Sequence, residues 1–210
     1  MHLLEAYLAL FEATGDEAYR EFATELVKLA LTRFIEPKTF LLLEEFTADW
    51  SAPKPFGQNR AEPGHLFEWS WLLQEYLRLY PDTTKAGHIR GVAQRLHQTA
   101  LVHTGGVIPP VIRDGVLENG EISAPNTRVW PQTEFMRSLA LTIPEKERET
   151  SPIVRAVLEN FSTHYIPAHL NGGWIDRLDA SGHSLMDHMP ASSLYHIYGA
   201  ICELDQNVAG

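Results

Sequence analysis

His65 and Glu68 stand one helical turn apart in EPGHLFEWSWLL, at the mouth of an otherwise apolar helix. Pro63 or Gly64 opens that helix, so His65 falls in its first turn. There the positive end of the helix dipole disfavours imidazolium. A neutral imidazole is the form a general base needs. Glu68 lies three residues on, on the same face, where it can orient the ring or steady its charged form. The same spacing suits an ordinary surface contact at a helix start, and the pair alone leaves both readings open. His196, in PASSLYHIYGAI, has apolar neighbours that predict a mostly buried helix. It reads either as a core histidine bonded to backbone or as a second base facing His65 across a small substrate.

Two further stretches carry polar and aromatic groups. NTRVWPQTEF places Arg128, Trp130, Gln132 and Glu134 around a helix start, with Pro131 suited to the first turn. Trp130 can stack on a ring-shaped ligand and Arg128 can present forked donors to it. A capped helix with Trp130 filling a gap is the structural alternative. GGWIDRLDASGHSLMDHMP adds Trp174, Asp176, Arg177, Asp187 and His188 in a polar, aromatic turn. Metal chemistry has little support: among 10 histidines there is no HExxH and no cysteine cluster. His65, Glu68 and His196 could supply three ligands, but nothing in their spacing selects for it. The glycine pairs lack a strand–GxGxxG–helix context, no serine sits in a nucleophile elbow, and Cys202 has no activating base in view.

The elements that must position these groups are helical. Leu3, Leu4, Tyr7, Leu8 and Phe11 form one stripe over residues 2–13. Gly15 stops that helix and Asp16 caps the next. Over residues 17–35, Tyr19, Phe22, Leu26, Leu29 and Ala30 form the expected core face. Helices follow over 64–80, 84–103 (stopped by Gly105–Gly106), 130–143, 148–164 and 191–204. Between them run long connections. TFLLLEEF reads as a short strand or hairpin arm. Asp-Gly and Asn-Gly signals in 105–128 predict a β-hairpin, and 171–192 predicts a strand–turn excursion. The rhythm of helix, short link, helix, long loop gives an all-α fold of about six helices in three hairpins. An α/α toroid and a decorated four-helix bundle both fit it.

Composition bounds the partners. The formal net charge is −10, from 27 acids and 17 bases, without a basic run, which excludes an electrostatic nucleic-acid binder. One cysteine excludes an intrachain disulfide and points to a reducing compartment. Glu5 interrupts the apolar N-terminal run and no basic segment precedes it, so it reads as an amphipathic helix rather than a signal peptide. No stretch is apolar for long enough to span a bilayer. A cytoplasmic protein forming one domain over 1–210 is the expectation.

EPGHLFEWSWLL, RVWPQTEF, GGWIDRLD and YHIYGAICEL, in this order and spacing, resemble the N-acylglucosamine 2-epimerase family, which also holds the D-mannose isomerases, sulfoquinovose isomerases and cellobiose 2-epimerases. The resemblance implies an (α/α)6 barrel, of which this chain matches only the second half. It implies a cofactor-free isomerase or epimerase acting on a small monosaccharide by proton transfer through a cis-enediol. Carried over by position, His65 and His196 are the two proton-shuttling histidines and Glu68 accompanies the first. His2, Trp130, Glu134 and Trp174 fall on pocket elements, and Arg60 lies just ahead of the main motif. One departure is Gly199, where epimerase branches often carry a basic residue one turn after the second histidine. That tilts the expectation toward a mannose–fructose type isomerase. A half barrel predicts uncovered apolar flanks on its first and last helices, and pairing with a second copy or with a missing N-terminal half. The alternatives are a non-catalytic sugar- or protein-binding module derived from the family, and a toroidal glycosidase or lyase using Glu68 and Glu134, which leaves the histidines without a task.

Overall fold

The computed structural model describes residues 1–104 and 111–204. Helix α1 (His2–Thr14) ends at Gly15, whose φ of 69° lies in the left-handed region that glycine enters without a Cβ penalty. Helix α2 (Glu17–Leu29) is capped by Asp16, which accepts the Ala18 N–H at 3.0 Å. Its last turn widens into a π-helical turn over Ala30–Phe34. The face that α2 buries is Ala23, Val27 and Ala30. This corrects the expected stripe: Phe22 is 50 % exposed, and its ring packs on Tyr7 of α1, centroids 5.2 Å apart, at the outer edge of the helix pair.

Helix α3 (Pro63–Leu79) opens on a proline, whose missing N–H costs nothing at that position. Helix α4 (Ala86–Leu101) follows; its expected stop at Gly105–Gly106 lies outside the described residues. Helix α5 spans Val129–Thr142. Instead of one helix over 148–164 there is a single turn, α6 (Glu145–Arg148), and then α7 (Pro152–His164). Pro152 separates them because it has no N–H to continue the ladder and suits a first turn. A 3-10 turn at Ala191–Ser193 leads into α8 (Leu194–Leu204).

Seven long helices are thus described, one for each helical span read from the sequence; three hairpins account for six of them. They pair as α1/α2, α3/α4 and α5/α7, and α8 packs on α5. The middle of the arrangement is α3, which touches α1, α4 and α5, and α5, which touches α3, α7 and α8. Both are buried on nearly every side, as befits helices with neighbours all round. Their buried polar residues, among them Glu68, Ser70, Glu134, Arg137 and Ser138, are therefore enclosed between helices.

Five short strands pin the chain just upstream of the helix starts. β1 (Arg60–Ala61) runs into α3 and pairs antiparallel with β2 (Gly115–Leu117), Arg60 opposite Leu117. β2 pairs with β3 (Ile122–Ala124), which forms the expected hairpin around Gly120. β4 (Thr127–Arg128) runs into α5 and pairs with β5 (Arg177–Leu178). TFLLLEEF makes one bridge, Ile35 with Leu42, instead of a strand. Leu41, Leu42 and Leu43 are buried, so this loop is anchored by its leucines. Apolar side chains remain exposed on the first and last helices, Leu3 and Leu10 on α1 and Leu194, Tyr198 and Ile201 on α8.

Candidate active site at the helix starts

The first turns of α1, α3, α5 and α8 come together. His2 opens α1, His65 is third in α3, Trp130 is second in α5, and His196 is third in α8. Trp130 lies against both long-range histidines, its ring centroid 4.8 Å from His65 and 5.8 Å from His196. His2 adds a third imidazole, 6.3 Å from that of His196. The close fit of α3 on α5 depends on Gly64. A Cβ there would lie 2.7 Å from the Trp130 ring and 2.9 Å from Pro131.

Each of the two half-buried histidines is held by a carboxylate on the same ring nitrogen. His65 Nδ1 lies 2.8 Å from Glu44 Oε1, which also accepts the Glu62 N–H at 3.1 Å. His196 Nδ1 lies 2.7 Å from Glu134 Oε1. A carboxylate accepts, so Nδ1 carries the proton in both rings and Nε2 is left for other work. Glu134 is fully buried and faces Arg137 at 3.3 Å, and Arg137 in turn bonds Glu5 at 2.7 Å. The Arg137 guanidinium lies over the Trp71 ring, 3.4 Å from its centroid.

The electrostatics modify one expectation. Burial lowers the pKa of His65, but the Glu44 hydrogen bond and the charges of Glu44, Glu68 and Glu62 outweigh it. The net shift is upward, toward the imidazolium that the helix dipole alone disfavours. Burial, followed by the α-amino group and His196, pulls His2 down. Burial and then the charge of Glu134 push Glu68 up to about 7. Glu68 is 2 % exposed, and its Oε1 has no hydrogen-bond partner among the described residues. The carboxylate bonded to His65 is thus Glu44, not Glu68, which acts on the ring through its charge alone.

The remaining predicted residues divide by place. Arg60 pairs with Glu62. Glu62 also binds Arg128 at 2.6 Å, and Arg128 binds Asp114 at 3.0 Å, with Arg177 3.6 Å from the same aspartate. This chain of alternating charges welds β1 and β4, with Arg128 also over the Trp130 ring, 5.2 Å from its centroid. Gln132 spends its amide on Ile112, Thr127 and the Arg128 carbonyl, which fixes the loop before α5. Trp174 packs against the core, and no hydrogen bond or ring contact joins it to the histidines among the described residues. Asp176 accepts from Ser193 just before α8. Asp187 and His188 pair with each other at the surface.

Sequence reasoning missed Glu44, Glu5, Arg137 and Tyr195. Tyr195 stacks on His196, centroids 3.9 Å apart, and its hydroxyl lies 3.0 Å from His2 Nδ1. Its position directly before His196, and that of Glu5 three residues after His2, were available signals. Glu44 had only the buried leucine run before it.

Stacked helical hairpins, with carboxylate-held histidines gathered at their starts, place the chain in the α/α-toroid fold class. Residues 1–200 match the family model described as N-acylglucosamine 2-epimerase (GlcNAc 2-epimerase), and the chain belongs to that family. It is 33 % identical over 215 residues to the mannose-6-phosphate isomerase of Rhizobium meliloti (strain 1021), covering 98 % of this chain and 53 % of that protein. A crystal structure of D-mannose isomerase superposes with a TM-score of 0.81 at 24 % identity, over 97 % of this chain and 52 % of the other. The cellobiose 2-epimerase of Bacillus thermoamylovorans B4167 gives 0.77 at 20 % identity, over 98 % and 52 %. At these identities the two structures establish the fold. The chain spans about half the length of the relatives it matches end to end.

Proposed function

We propose that this chain carries the proton-transfer site of a cofactor-independent sugar isomerase or epimerase, acting on a hexose of the mannose–fructose type through a cis-enediolate. The observation that carries the reading is the pair of imidazoles, His65 and His196, each held at Nδ1 by its own carboxylate and both close to Trp130. In the open-chain aldose, His196 Nε2 takes the C2 proton and the C–H electron pair moves toward the C1 carbonyl. His65, whose charged form Glu44 favours, faces the oxygen on which negative charge develops. Protonation of O1 by His65, return of the 2-hydroxyl proton to His65 and delivery of the carbon proton from His196 to C1 give the ketose. Delivery to C2 from the opposite face gives the epimer, with His65 as donor.

The names of the relatives support a mannose-type substrate. Gly199 does not add to this: the Arg137 guanidinium lies 3.9 Å from where its Cβ would sit, at the place where the epimerase branches carry their basic residue. A cation thus stands beside the second histidine, supplied by α5 instead of α8. The test is incubation with mannose or fructose in deuterium oxide, followed by NMR. Deuterium appears at C2 of the aldose or C1 of the ketose, and His196→Ala slows its appearance by about 10²–10⁴. A folded chain that exchanges no aldose or ketose proton, yet shifts its own resonances with sugar, is a binding module and overturns the proposal.

A further inference from the structure

We propose that His2, Glu5 and Glu68 form a binding site for one divalent cation of the Zn2+ or Co2+ class, beside the two shuttling histidines. One ligand atom from each of the three residues lies within 4.8 Å of the others, and His2 Nδ1 is 4.0 Å from Glu68 Oε1. His2 and Glu5 share a face of the first turn of α1, and Glu68 comes to them from α3. One nitrogen and two carboxylates suit a borderline cation. Bond lengths of about 2.0–2.2 Å require the donors to close by roughly 1 Å around an ion. His2, with 69 % of its side chain exposed, has room for that movement, while Glu68 is enclosed.

The independent indication is Glu68 Oε1. It is a buried carboxylate oxygen aimed at His2 without a donor among the described residues. Such an atom is costly to leave unpaired, and a cation bound between it, His2 and Glu5 is the partner it lacks. The surroundings allow this. Arg137 occupies Oε1 of Glu5, leaving the other oxygen, and Tyr195 shares His2 Nδ1 through its hydroxyl. The α-amino group, His65, His196 and Glu134 bear on the site through charge. An ion here ties up three groups next to His196, so it inhibits sugar turnover and does not assist it. That last consequence rests on the isomerase reading.

The binding claim does not depend on that reading and is tested without sugar. Co2+ is titrated into the 210-residue chain and followed by its visible absorption, with Zn2+ as competitor. One Co2+ per chain is expected. Glu68→Gln and His2→Ala should each weaken binding at least about ten-fold, the loss that even outer-shell changes bring. His188→Ala, at the distant surface pair, leaves binding unchanged. Absence of a saturable one-to-one signal, or parental affinity in either Glu68→Gln or His2→Ala, overturns the proposal. Failure of this titration leaves the exchange experiment with mannose untouched.

Discussion

Two enclosed regions of this protein each hold a histidine, and they treat it in opposite ways. At the helix starts, the Glu44 carboxylate receives the Nδ1 proton of His65 and nearby acids carry its pKa upward. In the seam between α4 and α5, His97 bonds the Ser138 hydroxyl at 2.6 Å, lies edge-on to Phe67, and is pushed down to about 4 by burial alone. The difference is the partner. A neutral hydroxyl satisfies an imidazole without rewarding its charged form, whereas a carboxylate rewards it. The first arrangement favours the charged ring and the second disfavours it. The proposed acid–base role falls on the first region, where Glu134 also holds His196 at Nδ1, 2.7 Å away.

Substitutions break this contrast by graded amounts. The largest effect is expected from His196→Ala, which should lower the deuterium-exchange rate by about 10²–10⁴, the usual contribution of a positioned acid–base group. His97→Gln should leave exchange near the parental rate, since that ring belongs to the core. His97 has its own signature in acid. Its native pKa of about 4 lies below the unfolded value of 6.5, so between those values the unfolded chain binds the extra proton. Stability is therefore full above pH 6.5 and falls as pH drops toward 4, by about 3 kcal/mol in all. Urea unfolding across that window should show the slope, and His97→Gln should flatten it.

Smaller changes sharpen the geometry of the site. Gly64→Ala drives a methyl into Trp130 and Pro131, and overpacking of this kind costs about 1–3 kcal/mol. Its melting temperature should drop, and exchange should slow beyond what the loss of folded chain explains, because Trp130 packs against both histidines. The mildest expected change is Glu44→Gln. It keeps the shape but removes the charge that raises His65, so exchange should slow by about ten-fold. The alkaline limb of its pH profile should also move to lower pH. An unmoved limb would mean that His65 owes its charge to other groups.

Much of this architecture can be read from local pattern. Gly15 and Asp16, Pro63, and the Pro131 helix start mark boundaries because backbone conformation and missing N–H groups act within a few residues. The approach of His65, Trp130 and His196 was legible through the family motifs. Two features were not. Phe22 sits at the outer edge of α2 because small Ala23 lets the helices approach, a packing choice that periodicity leaves open. Glu44 reaches His65 from an irregular loop, and a contact between residues 21 apart leaves no periodic trace. Leu3 and Leu10 of α1 and Leu194 and Ile201 of α8 are exposed.

The central claim is that two imidazoles serve one sugar. It is tested most directly by NMR of the chain with 15N-labelled histidine, as mannose and fructose are added. The account predicts that the Nε2 resonances of His65 and His196 shift together along one saturation curve while those of His97 stay fixed. A sugar that moves only one of the two rings, or moves them with separate affinities, contradicts it.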